Sequence, residues 1–197
     1  RDQPRSRGLG DVYKRQPKIR NILKPIIELL NGIPSVVYGF FGLAVIVPLL
    51  QNTFDLPVGE SGLAGSIILA IMALPTIITV AEDAMSNCPR SMREASLALG
   101  STQWQTIYKV VIPSSISGIT SGVVLGIGRA IGETMAVLMV TGNAAVIPTS
   151  ILEPLRTIPA TIAAELGEAP AGGAHYQSLF LLGVILFFIT LFINSCV

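Results

Sequence analysis

Apolar residues fall into four long blocks, at 33–50, 63–81, 114–140 and 178–197, separated by shorter polar stretches. Crossing the hydrocarbon of a bilayer as a helix takes about 20 apolar residues, or roughly 17 to 25, and each block falls near that length. Inside lipid a backbone must satisfy its own hydrogen bonds, so the pattern predicts four spanning helices and an all-α polytopic membrane bundle. Pro48 and Pro75 lie inside two of the blocks. They are expected to kink or end helices, which is tolerable where neighbouring groups cover the freed carbonyls.

Lysine and arginine set the orientation. Lys18, Arg20 and Lys24 precede the first block, and Arg90, Arg93 and Lys109 lie in the loop 82–113. The loop 51–62 has no basic residue, and 141–177 has only Arg156 against Glu153, Glu165 and Glu168. Positive charge collects on the cytoplasmic side, so the segment before the first span and the loop 82–113 are cytoplasmic. An even number of spans returns the C-terminus to that side. Only 13% of the residues are charged and 51% are hydrophobic, against about 25% charged in a soluble domain. The net charge of +1 gives no basic surface for nucleic acid. Residues 1–16 are polar, lack an apolar periodicity and lack the apolar core of a signal peptide. They are expected to be a non-native or disordered leader, with the membrane-spanning domain over 17–197.

The loop 82–113 is too patterned for a linker. Met92, Ala95 and Leu99, then Trp104, Ile107, Tyr108 and Val111, recur at spacings of three and four, which predicts two amphipathic helices. Gly100 stands between them, where a left-handed residue can end one helix, and Pro113 is expected to close the second before the next span. Such a hairpin has an apolar face and nothing of its own to cover it. It calls for a partner surface, the simplest mode being a helix laid in the groove of another subunit. An interfacial helix lying on lipid would favour a Lys-rich polar face, and this one carries only Arg93 and Lys109.

Glu94-Ala95-Ser96, Gly100 after three residues, then Val110-x-Ile112-Pro113 after nine more resemble the EAA motif of MetI-like ABC importer permeases. Ser96, Val110 and Ile112 are conservative departures from it. The stretches 26–42 (IIELLNGIPSVVYGFFG) and 126–143 (GIGRAIGETMAVLMVTGN) are similar to the phosphate-specific permeases of that family. The resemblance runs from about Lys18 to the end. It implies a six-span permease of which four spans are present. It also implies a coupling helix, carrying Glu94, Ala95, Gly100 and Pro113, that docks into an ATP-binding subunit. The implied partners are that subunit, a second permease, an extracytoplasmic phosphate-binding protein and inorganic phosphate. ATP and Mg would be bound by the ATPase, and the setting would be a bacterial or archaeal plasma (inner) membrane. A fragment of this kind is not expected to transport alone.

The block 114–140 carries Arg129 and Glu133 near its middle. A charge at that depth costs about 2.5 to 3.5 kcal/mol on insertion scales, so such residues normally face a bundle interior or a watery path. At i and i+4 the two are expected on one helix face, able to pair. A pair kept only to neutralise itself could be replaced by apolar residues without that cost, which favours a role in the substrate path. The guanidinium fork matches two phosphate oxygens. Glu133 could accept from a protonated phosphate oxygen, which sulfate lacks at neutral pH. Gly118, Gly122 and Gly126 repeat every four residues, a spacing that lets helices approach closely. Their expected neighbours are a partner permease and the span 33–50.

Other signals exclude more than they assign. No G-x-x-x-x-G-K-[ST] occurs, so no ATPase loop is present in this sequence. Gly126-x-Gly128 lacks the third glycine and a preceding strand, which rules out a dinucleotide loop. His175 has no Cys or His nearby, and Cys88 and Cys196 stand far apart, so neither a metal site nor a disulfide is expected. The stretch 149–168 is expected to be external, touching a binding protein or capping the bundle. The rival readings are a permease for another oxyanion or small solute, such as molybdate, sulfate or a polyamine, and a secondary transporter. The secondary transporter would need inverted repeats and no coupling loop. No catalytic constellation supports a membrane enzyme.

Overall fold

The computed structural model describes residues 17–195. The expectations placed on the leader 1–16 and on Cys196 lie outside the described residues. Helix α1 covers Pro17–Gly32 and α2 covers Ser35–Phe54. They are followed by α3, Gly62–Ser86, and by α4, Arg90–Ala98. Helix α5 spans Gln103–Ser114, α6 Ile116–Ile131 and α7 Met135–Val140. Two more follow: α8, Ile158–Glu165, and α9, Ala174–Ser195. The bundle is helical as expected, with a single isolated β-bridge between Gly142 and Leu155 among the described residues.

Helices α2, α3 and α9 are each long and apolar enough to cross a membrane. The predicted third span differs from its expectation. It is not one helix over 114–140, because α6 ends at Ile131 and α7 starts only at Met135. Gly132, at the α6 C-cap, begins the break. At its other end α6 meets α5 at a bend of 68°. Pro113 does not itself stop α5. The helix runs one residue further, and the chain turns at Ser115.

Two prolines that threatened the helices are absorbed in the same way. In α2 the residues Gly42–Ile46 form a wide i→i+5 turn, in which Val47 N–H reaches Gly42 O, and Pro48 follows at once. In α5 the turn Ile107–Val111 is widened likewise, Ile112 N–H reaching Ile107 O just before Pro113. Proline lacks an N–H and its ring collides with the carbonyl four residues back. A wider turn makes room for the ring without ending the helix.

The core lies where α2, α3 and α7 meet. Tyr38, Val47, Leu50, Ala64, Ile68, Met72, Ala136 and Val140 are buried there. Two glycines of α2 permit the approach. A Cβ on Gly39 would lie 2.9 Å from the Ala136 backbone, and one on Gly42 only 2.6 Å from Val140 Cγ1. Helices α3 and α6 run antiparallel in close contact. Gly118 faces Ala84, Gly122 faces Val80, and Gly126 faces Ile77. The small-residue stripe therefore works as expected, but its neighbour is α3 of the same chain. The span 33–50 packs instead against α7. A buried Ile68 and Met72 hold α3 in the middle of the molecule, so it is α3 that lies within reach of the stripe.

The segment after α7 folds back over the start of α3. Gly62 N–H donates to Glu153 O and Leu63 N–H to Ile151 O, while Ala64 N–H is capped by the Ser61 hydroxyl. The first N–H groups of a helix have no partner within it, and here the returning chain supplies them. Glu153 is in turn held by the Thr149 N–H and hydroxyl, and these bonds lower its pKa. Glu165 of α8 pairs with both Arg156 and His175, which ties this cover to the start of α9. Of the two roles open to 149–168, the structure shows the cap.

Candidate functional site

Two places bring together the residues singled out by the sequence. The first is the α4–α5 hairpin. Gly100 takes φ +86° between α4 and α5, the left-handed conformation expected of it. Ser96, the departure from the third EAA position, is buried and its hydroxyl lies 3.0 Å from that of Thr106. That bond locks α4 to α5 across the turn. Thr102 and Gln105 form a reciprocal capping box at the start of α5, a start signal legible in the sequence as T-x-x-Q.

With the hairpin closed in this way, its apolar residues are left outside. Leu99 is 87% exposed, Trp104 78% and Tyr108 73%. Glu94 and Ala95 are exposed beside them, whereas Val111 turns inward. Three large apolar side chains on one rigid turn form a surface that water does not favour. The base of the hairpin is anchored to the spans. Arg93 donates to Met85 O at the end of α3, and the Ser114 hydroxyl donates to buried Cys88 at 3.2 Å, which lowers the thiol pKa.

A Cβ at Gly100 meets no atom within 4 Å, so the effect of a side chain there comes chiefly from the backbone. Holding a β-branched residue at positive φ costs about 1–3 kcal/mol, and the turn is expected to reroute rather than bear that strain. In the full-length protein Gly100→Val should insert into the membrane normally but fail to co-purify with an ATP-binding subunit of the kind the hairpin motif implies, and fail in any uptake that depends on it. Wild-type uptake would show that the turn geometry carries no coupling.

The second place is where α1, α3 and α6 meet. Arg129, near the end of α6, does not pair with Glu133. Its Nη1 donates to Asn31 Oδ1 at 2.6 Å and to Thr76 Oγ1 at 3.0 Å, and the Thr76 hydroxyl donates to the same Asn31 oxygen at 3.0 Å. The expected i, i+4 pairing fails because the helix stops between the two residues. Glu133 sits in the break, and its Oε1 accepts from Ala136 N–H at 3.3 Å at the start of α7. A carboxylate there satisfies an orphan N–H and meets the positive end of the new helix.

Thr76 lies within α3, inside the apolar block 63–81. Arg129 is exposed along the side of this chain, and its Nε and Nη2 make no hydrogen bond among the described residues. Arg129 and Glu133 thus remain near each other in the chain but have separate partners. Asn31 and Thr76 escaped sequence reasoning. The only signals were one amide beside the Gly-Ile-Pro turn and one hydroxyl after Pro75, both common in apolar helices.

Helices long and apolar enough to cross a membrane, an arginine held between helices by neutral oxygens and a hairpin with an exposed apolar face define a membrane-protein bundle. The chain belongs to the family described as binding-protein-dependent transport system inner membrane component, whose model matches residues 8–197. This bears out the resemblance carried by the hairpin motif. A probable ABC transporter permease, YqgH of Bacillus subtilis, is 45% identical over 85% of this chain and 54% of its own length. The phosphate transport system permease PstC of Mesorhizobium japonicum is 42% identical over 88% of this chain and 60% of its own. PstC of Pasteurella multocida is 38% identical over 90% and 61%. The chain therefore spans a little over half the length of these relatives.

Proposed function

We propose that this chain is the core of a transmembrane permease subunit in an ATP-driven importer of inorganic phosphate, seated in the inner membrane. It would form the path together with a second, PstA-like permease. An extracytoplasmic phosphate-binding protein would deliver the ion, and ATP with Mg would be bound and hydrolysed by a separate subunit docked on the α4–α5 hairpin. The names of the PstC relatives support the substrate.

One observation carries the reading. Arg129 is held only by neutral acceptors where α1, α3 and α6 meet, so its charge is not cancelled and two of its three nitrogens are available to an anion. Guanidinium donors match phosphate oxygens in a planar, two-point contact. Glu133, one helix break away, could accept the proton that dihydrogen phosphate or hydrogen phosphate carries and sulfate does not.

The test is uptake of labelled phosphate by the full-length permease with its partners, in vesicles where delivery by the binding protein is bypassed. Phosphate should enter and excess sulfate should compete poorly. Glu133→Gln keeps an acceptor for Ala136 N–H but removes the charge, so it should narrow the preference for phosphate over sulfate more than it slows phosphate. An unchanged preference in that variant would make Glu133 a helix cap only. No ATP-dependent phosphate entry in the wild type would refute the substrate assignment itself.

A further inference from the structure

Arg129, Asn31 and Thr76 form a closed ring of three hydrogen bonds contributed by three helices. Arginine can only donate, so the Asn31 atom facing it must be the carbonyl oxygen. That oxygen also takes the Thr76 proton, which leaves the hydroxyl lone pairs for Arg129. Every donor and acceptor in the ring is therefore assigned, and no alternative amide orientation satisfies it.

We propose that Asn31 and Thr76 are positioning residues of the anion path, which grip one nitrogen of Arg129 with neutral oxygens so that its positive charge and its other nitrogens remain available to an incoming oxyanion. The inference rests on the reading of Arg129 as part of that path.

The chemistry of the acceptors supports it. A carboxylate is the usual partner of a desolvated guanidinium, since it removes the net charge. Here a carboxylate lies four residues away in sequence, yet it is engaged at the start of α7. Amide and hydroxyl oxygens satisfy the donor without cancelling the field. An arginine held in this way attracts anions, and in the low dielectric of the bundle that attraction is stronger than in water.

Its mounting is also firm. Asn31 ends α1 and Thr76 follows the buried Pro75 of α3. A second contact between these helices, Lys24 with Asp83 at 3.7 Å and Glu82 at 4.0 Å, lies two turns earlier, at the middle of α1. Helix α1 thus touches α3 at two places, two turns apart on α1. The side of Arg129 fixed by the ring is the side toward α1 and α3. What remains is open along the exposed flank of α6.

Four variants of the full-length permease, co-expressed with its partner subunits and assayed for labelled phosphate uptake in vesicles, test this. Asn31→Asp changes only an amide to a carboxylate and would pair with Arg129, so uptake should fall by about tenfold or more, the size of losing one charge-assisted contact. Thr76→Val removes the hydroxyl at constant shape and should raise the phosphate concentration giving half-maximal uptake. Thr76→Ser restores the hydroxyl and should return that concentration to the wild-type value. Arg129→Gln is the reference for loss of the site. All uptake is normalised to the amount of complex purified intact.

If Arg129→Gln abolishes uptake while Asn31→Asp and Thr76→Val both match the wild type, the positioning role is overturned and the anion path stands. If Arg129→Gln also matches the wild type, the reading of the path fails together with the inference. If the losses in Asn31→Asp and Thr76→Val disappear after normalisation, the ring serves folding only, which likewise overturns the proposal. Rescue by serine with loss in valine and aspartate supports it.

Discussion

Arg129→Lys is expected to cut phosphate uptake by about 10–100-fold while leaving the amount of assembled permease near normal. The substitution keeps the positive charge, so a role limited to electrostatic attraction would survive it. What it removes is geometry. Arg129 reaches Asn31 and Thr76 with one nitrogen and keeps the rest of a planar fork for a ligand. A lysine has one nitrogen, and if that nitrogen satisfies the two oxygens it can offer an anion only one further donor. Losing a charge-assisted hydrogen bond costs about 1.5–3 kcal/mol, which is the range stated. Initial uptake rates at saturating and limiting phosphate check it. Uptake within about twofold of the wild type, a loss under 1 kcal/mol, would show that charge alone suffices there.

Gly118→Leu should prevent the bundle from closing. A Cβ at Gly118 would stand 2.4 Å from the Cβ of Ala84. Alanine has no rotamer to move away, so the axes of α6 and α3 must separate, and the strain spreads to the contacts of Gly122 with Val80 and Gly126 with Ile77. Overpacking a tight interface costs about 1–3 kcal/mol, occasionally more. For a chain of this size each kcal/mol lowers Tm by about 2–4 °C. Separation would also carry Arg129 away from Thr76, so uptake should be lost even at temperatures where the protein is still extracted intact. Val123→Leu, on an exposed face of the same helix, should change neither. Thermal stability in detergent, measured for both variants, decides the matter. An unshifted Gly118→Leu would mean that α3 and α6 are not locked by this stripe.

Glycines in this chain serve two distinct physical ends, and only one is about space. At Gly118 the missing side chain is what permits contact. At Gly100 there is room for a larger residue, and the positive φ is what excludes it. The hairpin and the spans are thus expected to respond differently to the same class of substitution: coupling lost in the first, the bundle itself in the second.

The sequence by itself determined the all-α membrane class, the approximate spans, the amphipathic hairpin with Gly100 at its turn, and the family. Each of these depends on local periodicity, on counts of charge, or on a motif with fixed spacing, and none needs knowledge of which helix lies beside which. It also marked Arg129 and Glu133 as costly residues, because the bilayer penalises charge wherever the neighbours are. Only the tertiary structure decided their partners. The i, i+4 rule assumes an unbroken helix, and the break after Ile131 sends Glu133 to cap α7 and leaves Arg129 to Asn31, 98 residues away in sequence. A glycine stripe likewise announces a close neighbour without naming it; α3 fills that place because its own buried face already holds it at the centre. Helix α1 and its terminal Asn31 were missed for the same reason. A short amphipathic helix interrupted by Pro25 has little propensity of its own, and it is packing against α3 that holds it in place.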